Sequence, residues 1–278
     1  MKIKKVSSVK RKNNKPLFAS LVKGRGTVKD GGGIPSPFFN ILQFQTNNSN
    51  MYSGDIMSNF DSIKLVDYSR KEDWVNSITH MIGGAFAIIV LILCIGRGIS
   101  LGRTDYILLS IVYGVTMLTV FVCSSVYHGL RPNKAKKIMR VVDHAMINFM
   151  IVGTITPYMV LAVAPIKPVM AYGLLIACWV AAITAVIITF TMFNKTKVIQ
   201  MVLYMVIGWS SFATVFVLWK HFTPTAIILM IAGGIAYTVG AILYGIGKKK
   251  KYIHAVFHIF IILGAFLHFL GLYLYVFI

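Results

Sequence analysis

The sequence predicts an all-α protein, a bundle of seven transmembrane helices with its N-terminus in the cytoplasm and its C-terminus outside. Three observations predict it. Of 278 residues, 57% are hydrophobic and 13% charged, against about 25% charged in globular chains, and the mean hydropathy is +0.74. Seven apolar runs follow one another, each near the roughly 20 residues that cross a bilayer. The loops between them alternate in basic charge, which fixes orientation.

Residues 1–70 come first, a polar and basic arm containing Asp30-Gly31-Gly32-Gly33-Ile34-Pro35-Ser36-Pro37, which is loop chemistry. Such composition predicts disorder, with Lys/Arg groups suited to anionic headgroups. Met51 and Met57 are alternative starts, which would make what precedes them an over-extended reading frame. No apolar stretch with a cleavage site marks a secretory signal. Residues 71–278 form the membrane domain.

The runs are 77–96, 106–130, 141–164, 169–193, 198–219, 225–246 and 252–277. Gly153 and Pro157 predict a kink in the third run, tolerated where neighbouring helices satisfy the freed carbonyl. Ala232, Ala236 and Gly240 form a small-residue stripe suited to close helix packing. Cys94, Cys123 and Cys178 all lie in apolar runs and read as small core hydrophobes.

Even-numbered loops hold Arg131, Lys134, Lys136, Lys137 and Arg140, then Lys195 and Lys197, then Lys248 to Lys251. Odd-numbered loops hold only Arg97, Arg103, Lys167 and Lys220. The even loops therefore face the cytoplasm of a multi-pass protein in the cell membrane. The net charge of +20 does not signal nucleic acid, because a basic nucleic-acid domain is not this apolar. The expected partners are membrane lipids, and nothing in the sequence names a protein partner.

The polar residues inside the runs collect at one depth. His80 opens the first run, Ser124 and His128 close the second, Asp143 and His144 open the third, and His254 and His258 open the seventh. All lie in the cytoplasmic leaflet of the predicted topology. Ionisable groups are costly in hydrocarbon, so such residues mark function. Glu72, Asn76 and His80 recur at spacing four, as do Ser124 and His128, and His254 and His258. That spacing places each set on one helix face. A His-x-x-x-His pair suits a metal ion or a proton relay. With His128 at the same depth it supplies the three imidazoles and open position of a catalytic zinc site. Asp143 is then an orienting partner or the base for an attacking water; its competing role is an ion pair with Arg140. Ser124 would hold that water or a carbonyl oxygen. His144 points some 100° away from Asp143 around the helix. His268, about 15 Å deeper than His258, reads as a hydrogen-bonding residue of the bundle interior.

The motifs Glu72-x-x-x-Asn76-x-x-Thr79-His80, Ser124-Ser125-x-x-His128, Asp143-His144 and His254-x-x-x-His258 with the later His268 resemble those of the bacterial haemolysin III proteins. These are the prokaryotic branch of the progestin and adiponectin receptor family. The resemblance covers residues from about 70 to 278; Asp73 stands where a second glutamate is common. It implies seven helices, a Zn2+ ion held by His128, His254 and His258 near the cytoplasmic surface, and Ser124 and Asp143 beside it. It also implies kinship with membrane proteins proposed to be metal-dependent hydrolases, ceramidases included. The expected function is hydrolysis of a lipid amide or ester affecting membrane lipid state. The alternatives are a non-enzymatic, zinc-stabilised membrane sensor and a haemolysin-type cytolysin.

Overall fold

The first helix begins where the sequence offers a cap. In the computed structural model, which describes residues 60–247 and 250–278, Ser69 Oγ accepts from the Glu72 backbone N–H and the Glu72 carboxylate accepts from the Ser69 N–H. This reciprocal pair satisfies two otherwise orphaned donors and starts α1 (Arg70–Ser100), about two turns before the apolar run. Asn133 does the same for α3 (Lys134–Pro157), accepting from the Lys136 N–H. The others are α2 (Thr104–Gly129), α4 (Pro168–Met192), α5 (Lys197–Ser210), α6 (Pro224–Gly247) and α7 (Ile253–Tyr275). The α5 span continues through a tighter turn at Ser211–Thr214 to Leu218. Seven helices among the described residues are thus long and apolar enough to cross a membrane.

Helix α3 is the central rod. Two thirds of its apolar stretch, 67%, is buried, against 22% for α4 and for α5. Pro157 ends its regular winding, and the chain runs on through a wider helix at Tyr158–Val163, where the Ala164 N–H reaches back to Met159 O. Gly153 serves contact instead: a Cβ there would collide with the Thr116 side chain on α2. The α1–α2 pair is as close. Ser77 Oγ donates to Ser125 O, Ser125 Oγ donates to Ser77 O, and a Cβ on Gly83 would meet the Phe121 ring at 2.7 Å. Along α6, Ala236 is buried and Gly240 rests against Phe257 and Phe260 of α7. Cys94 and Cys178 are buried, and Cys123 is half-buried. Ile82, Ile89, Ile92, Ile176, Ile187 and Ile242 stay exposed on outward faces, as lipid contact requires.

Contacts from distant parts of the chain tie each end of the bundle. At one, Arg70 donates to Gly129 O and the Tyr252 N–H donates to Glu72, joining the starts of α1 and α7 to the end of α2. At the other, Arg97 donates to Phe277 O and Tyr106 Oη to Ile278 O. Residues 60–69, grouped with the arm in the sequence reading, lie against the bundle: Phe60 and Ile63 are buried with Val141 and Phe193, and Arg140 donates to Lys64 O. The disorder expected of residues 1–59, and the side chains of Lys248 and Lys249, lie outside the described residues.

Candidate metal centre

At the Arg70 end of the bundle, two helices bring three imidazoles together. His128 sits on the last turn of α2, and His254 and His258 on the first two turns of α7. One ring nitrogen from each lies within 4.8 Å of the others, and all three side chains are buried. His128 Nε2 and His254 Nε2 are 3.2 Å apart. Ring centroids are separated by 4.5 Å for His254 and His258, and by 5.3 Å for His128 and His258.

The partners of the opposite ring atoms fix the tautomers. His128 Nδ1 lies 3.2 Å from Asp73 Oδ1, so its N–H donates to the carboxylate and Nε2 is left with a free lone pair. Thr79 Oγ1 donates to Asn76 O at 2.9 Å and stands 3.0 Å from His258 Nδ1. With its proton committed to Asn76, Thr79 accepts from His258 Nδ1–H, again leaving Nε2 free. His128 Nε2 and His254 Nε2 face each other inside an apolar bundle. The 3.2 Å separation of the first pair is close to the ~3.3 Å expected between two nitrogens on one tetrahedral zinc. The donor set therefore fits a Zn2+ ion with a position left open.

Asp73 is a residue the sequence reading passed over. Its second oxygen accepts from Lys136 Nζ at 2.5 Å, and the ammonium also donates to Leu130 O. Lys136 is only 2% exposed, so a buried cation holds the carboxylate that holds His128. The spacing of Asp73 from the Ser69 cap carried the available signal. Thr79 lies inside a quoted motif, and its role appears only once α1 and α7 are packed together.

The other expected residues fall as follows. Glu72 caps α1 and accepts the Tyr252 N–H at 3.2 Å, so it anchors the turn that delivers His254. That turn is strained, with Tyr252 at φ 64°. His80 stacks on His258 with centroids 3.6 Å apart; both its nitrogens and both side-chain polar atoms of Asn76 are buried without a hydrogen-bond partner among the described residues. Ser124 donates to Asp143, and both line a cavity of about 180 Å³ together with His80, His254 and His258. Arg140 reaches the Lys64 carbonyl; Asp143 lies 3.7 Å from His144 Nδ1, which meets Arg140 O at 2.8 Å. His144 turns its Nε2 to Tyr244 Oη, 3.0 Å away. Tyr68, just before α1, lays its ring 5.3 Å from His254 and 5.8 Å from His128. Burial pushes its hydroxyl well above the usual phenol range, so it stays a neutral lid over the rings.

Comparison with known proteins gives one family model and several relatives. The family model described as Haemolysin-III related matches residues 68–269. The chain is 30% identical over 198 residues to Hemolysin-3 homolog of Bacillus subtilis, covering 71% of this chain and 91% of that protein. It is 29% identical over 206 residues to Hemolysin-3 of Bacillus cereus, covering 74% and 92%. A more distant likeness, 22% over 174 residues, is to the human monocyte to macrophage differentiation factor, covering 60% and 69%.

Proposed function

We propose, for a chain that belongs to the haemolysin III-related family, that this multi-pass membrane protein is a zinc-dependent hydrolase of lipid amide or ester bonds. The observation that carries the reading is a cluster of three buried imidazoles, two of which, His254 and His258, line one cavity with Asp143 and Ser124 inside a lipid-facing bundle. Bound zinc would polarise a carbonyl and bring a water within reach of deprotonation near neutral pH. His128, His254 and His258 would hold the ion, with Asp73 and Thr79 fixing the orientation of two of those rings. Asp143 takes the water's proton and returns it to the departing amine or alcohol. Ser124 positions the Asp143 carboxylate. The apolar walls take the lipid chain and exclude bulk water. The loop charges favour a site on the cytoplasmic side.

The test is release of free fatty acid from defined lipid amides and esters by the purified protein. Release by the zinc-loaded chain, lost in Asp143→Asn, supports the reading; no release from any lipid class defeats it. A second reading is favoured by one observation: the imidazoles join α2 to α7 while Asp73 and Thr79 tie both rings to α1. Zinc would then staple three helices of a non-enzymatic sensor, and chelation would lower the melting temperature with no lipid product formed. One relative is named Hemolysin-3 and another Hemolysin-3 homolog, and dye leakage from liposomes separates cytolysis from both readings.

A further inference from the structure

The cavity does not end at the metal centre. It is also lined by His268 and Tyr237, and His268 stands ten residues along α7 from His258, about 15 Å farther down the helix axis. The walls between are apolar, with Met150, Ile151, Ile155, Met230, Ile231 and Ile261. At the deep end, each ring is seated in a notch of the opposite helix. A Cβ on Gly233 of α6 would meet the His268 ring at 2.7 Å, and one on Gly264 of α7 would meet the Tyr237 ring at 2.5 Å. The two rings stack at 5.5 Å. Tyr158 Oη donates to the His268 carbonyl, and its ring meets the His268 ring edge-on at 6.0 Å. His268 Nδ1 and Tyr237 Oη are both buried with no hydrogen-bond partner among the described residues. In hydrocarbon, where water does not compensate, unpaired polar atoms are costly, and here two of them come as a pair on a cavity wall.

We propose that His268 and Tyr237 form a second polar subsite, which takes a hydroxyl or carbonyl oxygen carried at the far end of a lipid chain whose head group lies at the metal centre. Tyr237 Oη donates to that oxygen, and His268 Nδ1 accepts from a hydroxyl or, in its other tautomer, donates. The ligand class is a lipid polar at both ends and apolar between, its length matched to the spacing of the two subsites. The inference deepens the lipid-hydrolase reading and rests on it for the placement of the head group.

Equilibrium binding to the full chain, zinc-loaded in nanodiscs, tests it with straight-chain fatty acids of increasing length, each with and without a terminal hydroxyl. At one length the hydroxyl should tighten binding about tenfold, the value of one well-made buried hydrogen bond. Tyr237→Phe keeps the ring in its glycine notch and should erase that preference while binding the plain acid unchanged. His268→Phe should do the same, and the melting temperature of Tyr237→Phe should not fall, since only an unpaired hydroxyl is removed. Equal affinity of hydroxylated and plain acids at every length, or a preference that survives in both variants, would overturn the subsite and leave the hydrolase reading standing. Failure of every acid to bind would overturn both.

Discussion

Asp73 Oδ1 lies 3.2 Å from Nδ1 of His128, while the other oxygen of the same carboxylate lies 2.5 Å from Nζ of Lys136. A carboxylate behind a metal-binding imidazole fixes its tautomer and raises its basicity, and such partners are typically worth 10–100-fold in metal affinity. Asp73→Asn should therefore weaken zinc binding by about 10–100-fold, measured by competition with a chelator. An unchanged affinity would show that His128 orients itself.

The Lys136 ammonium bears on stability as well as on the metal. It is buried, so removing its partner strands a charge. Asp73→Ala should cost about 3–5 kcal/mol, and adding Lys136→Met should recover most of it. Thermal unfolding of the single and double variants, all without zinc, checks this. Equal destabilisation in the single and double variants would contradict it.

Thr79 plays for His258 the part that Asp73 plays for His128. Thr79→Val keeps the shape and removes the 3.0 Å partner of Nδ1. Its zinc affinity should fall, by less than in Asp73→Asn because no charge is lost. Chelator competition ranks the two, and the reverse order would contradict the assignment.

Asp143 is reached by a different experiment. Asp143→Asn should retain zinc and lose turnover by about 10²–10⁴-fold, the usual worth of a general base. Ser124→Ala should retain zinc with a smaller loss. Turnover unchanged in Asp143→Asn would remove that carboxylate from the chemistry.

Helix contact yields a paired stability prediction. A Cβ on Gly114 would lie 2.6 Å from Leu91 Cδ1 and 3.2 Å from the Leu91 Cα, whereas none of the described residues lies within 4 Å of one on Gly96. Gly114→Ala should destabilise by about 1–3 kcal/mol through overpacking. Gly96→Ala should stabilise by about 0.5–1 kcal/mol, the cost of glycine in a helix interior. Thermal melts of both variants in one detergent decide it.

The seven spans were legible because each is a long apolar run closed by loop residues. Their starts were less so. Helices α1 and α3 each begin seven residues ahead of the apolar runs at 77 and 141, since Ser69 and Asn133 cap polar first turns that hydropathy passes over. The three metal histidines were legible from i, i+4 spacing and depth. Asp73 and Lys136 were not, because their bond links residues 63 apart in sequence and forms only when α1 packs on the start of α3. Tyr68 escaped for a similar reason: it lies in a segment whose composition reads as loop, and its burial comes from rings on α2 and α7. The deep pair was half legible. His268 stood out as a polar group in an apolar run, but the notch that seats Tyr237 needs Gly264 facing α6.

Zinc content of the purified chain is the most direct measurement of whether imidazoles from α2 and α7 share one ion. Elemental analysis should find one zinc per wild-type chain, and none in His128→Ala or in the His254→Ala, His258→Ala double variant, with each variant shown to be folded. Full zinc in the double variant, or a wild-type chain that takes up no zinc when supplied with it, would contradict the account.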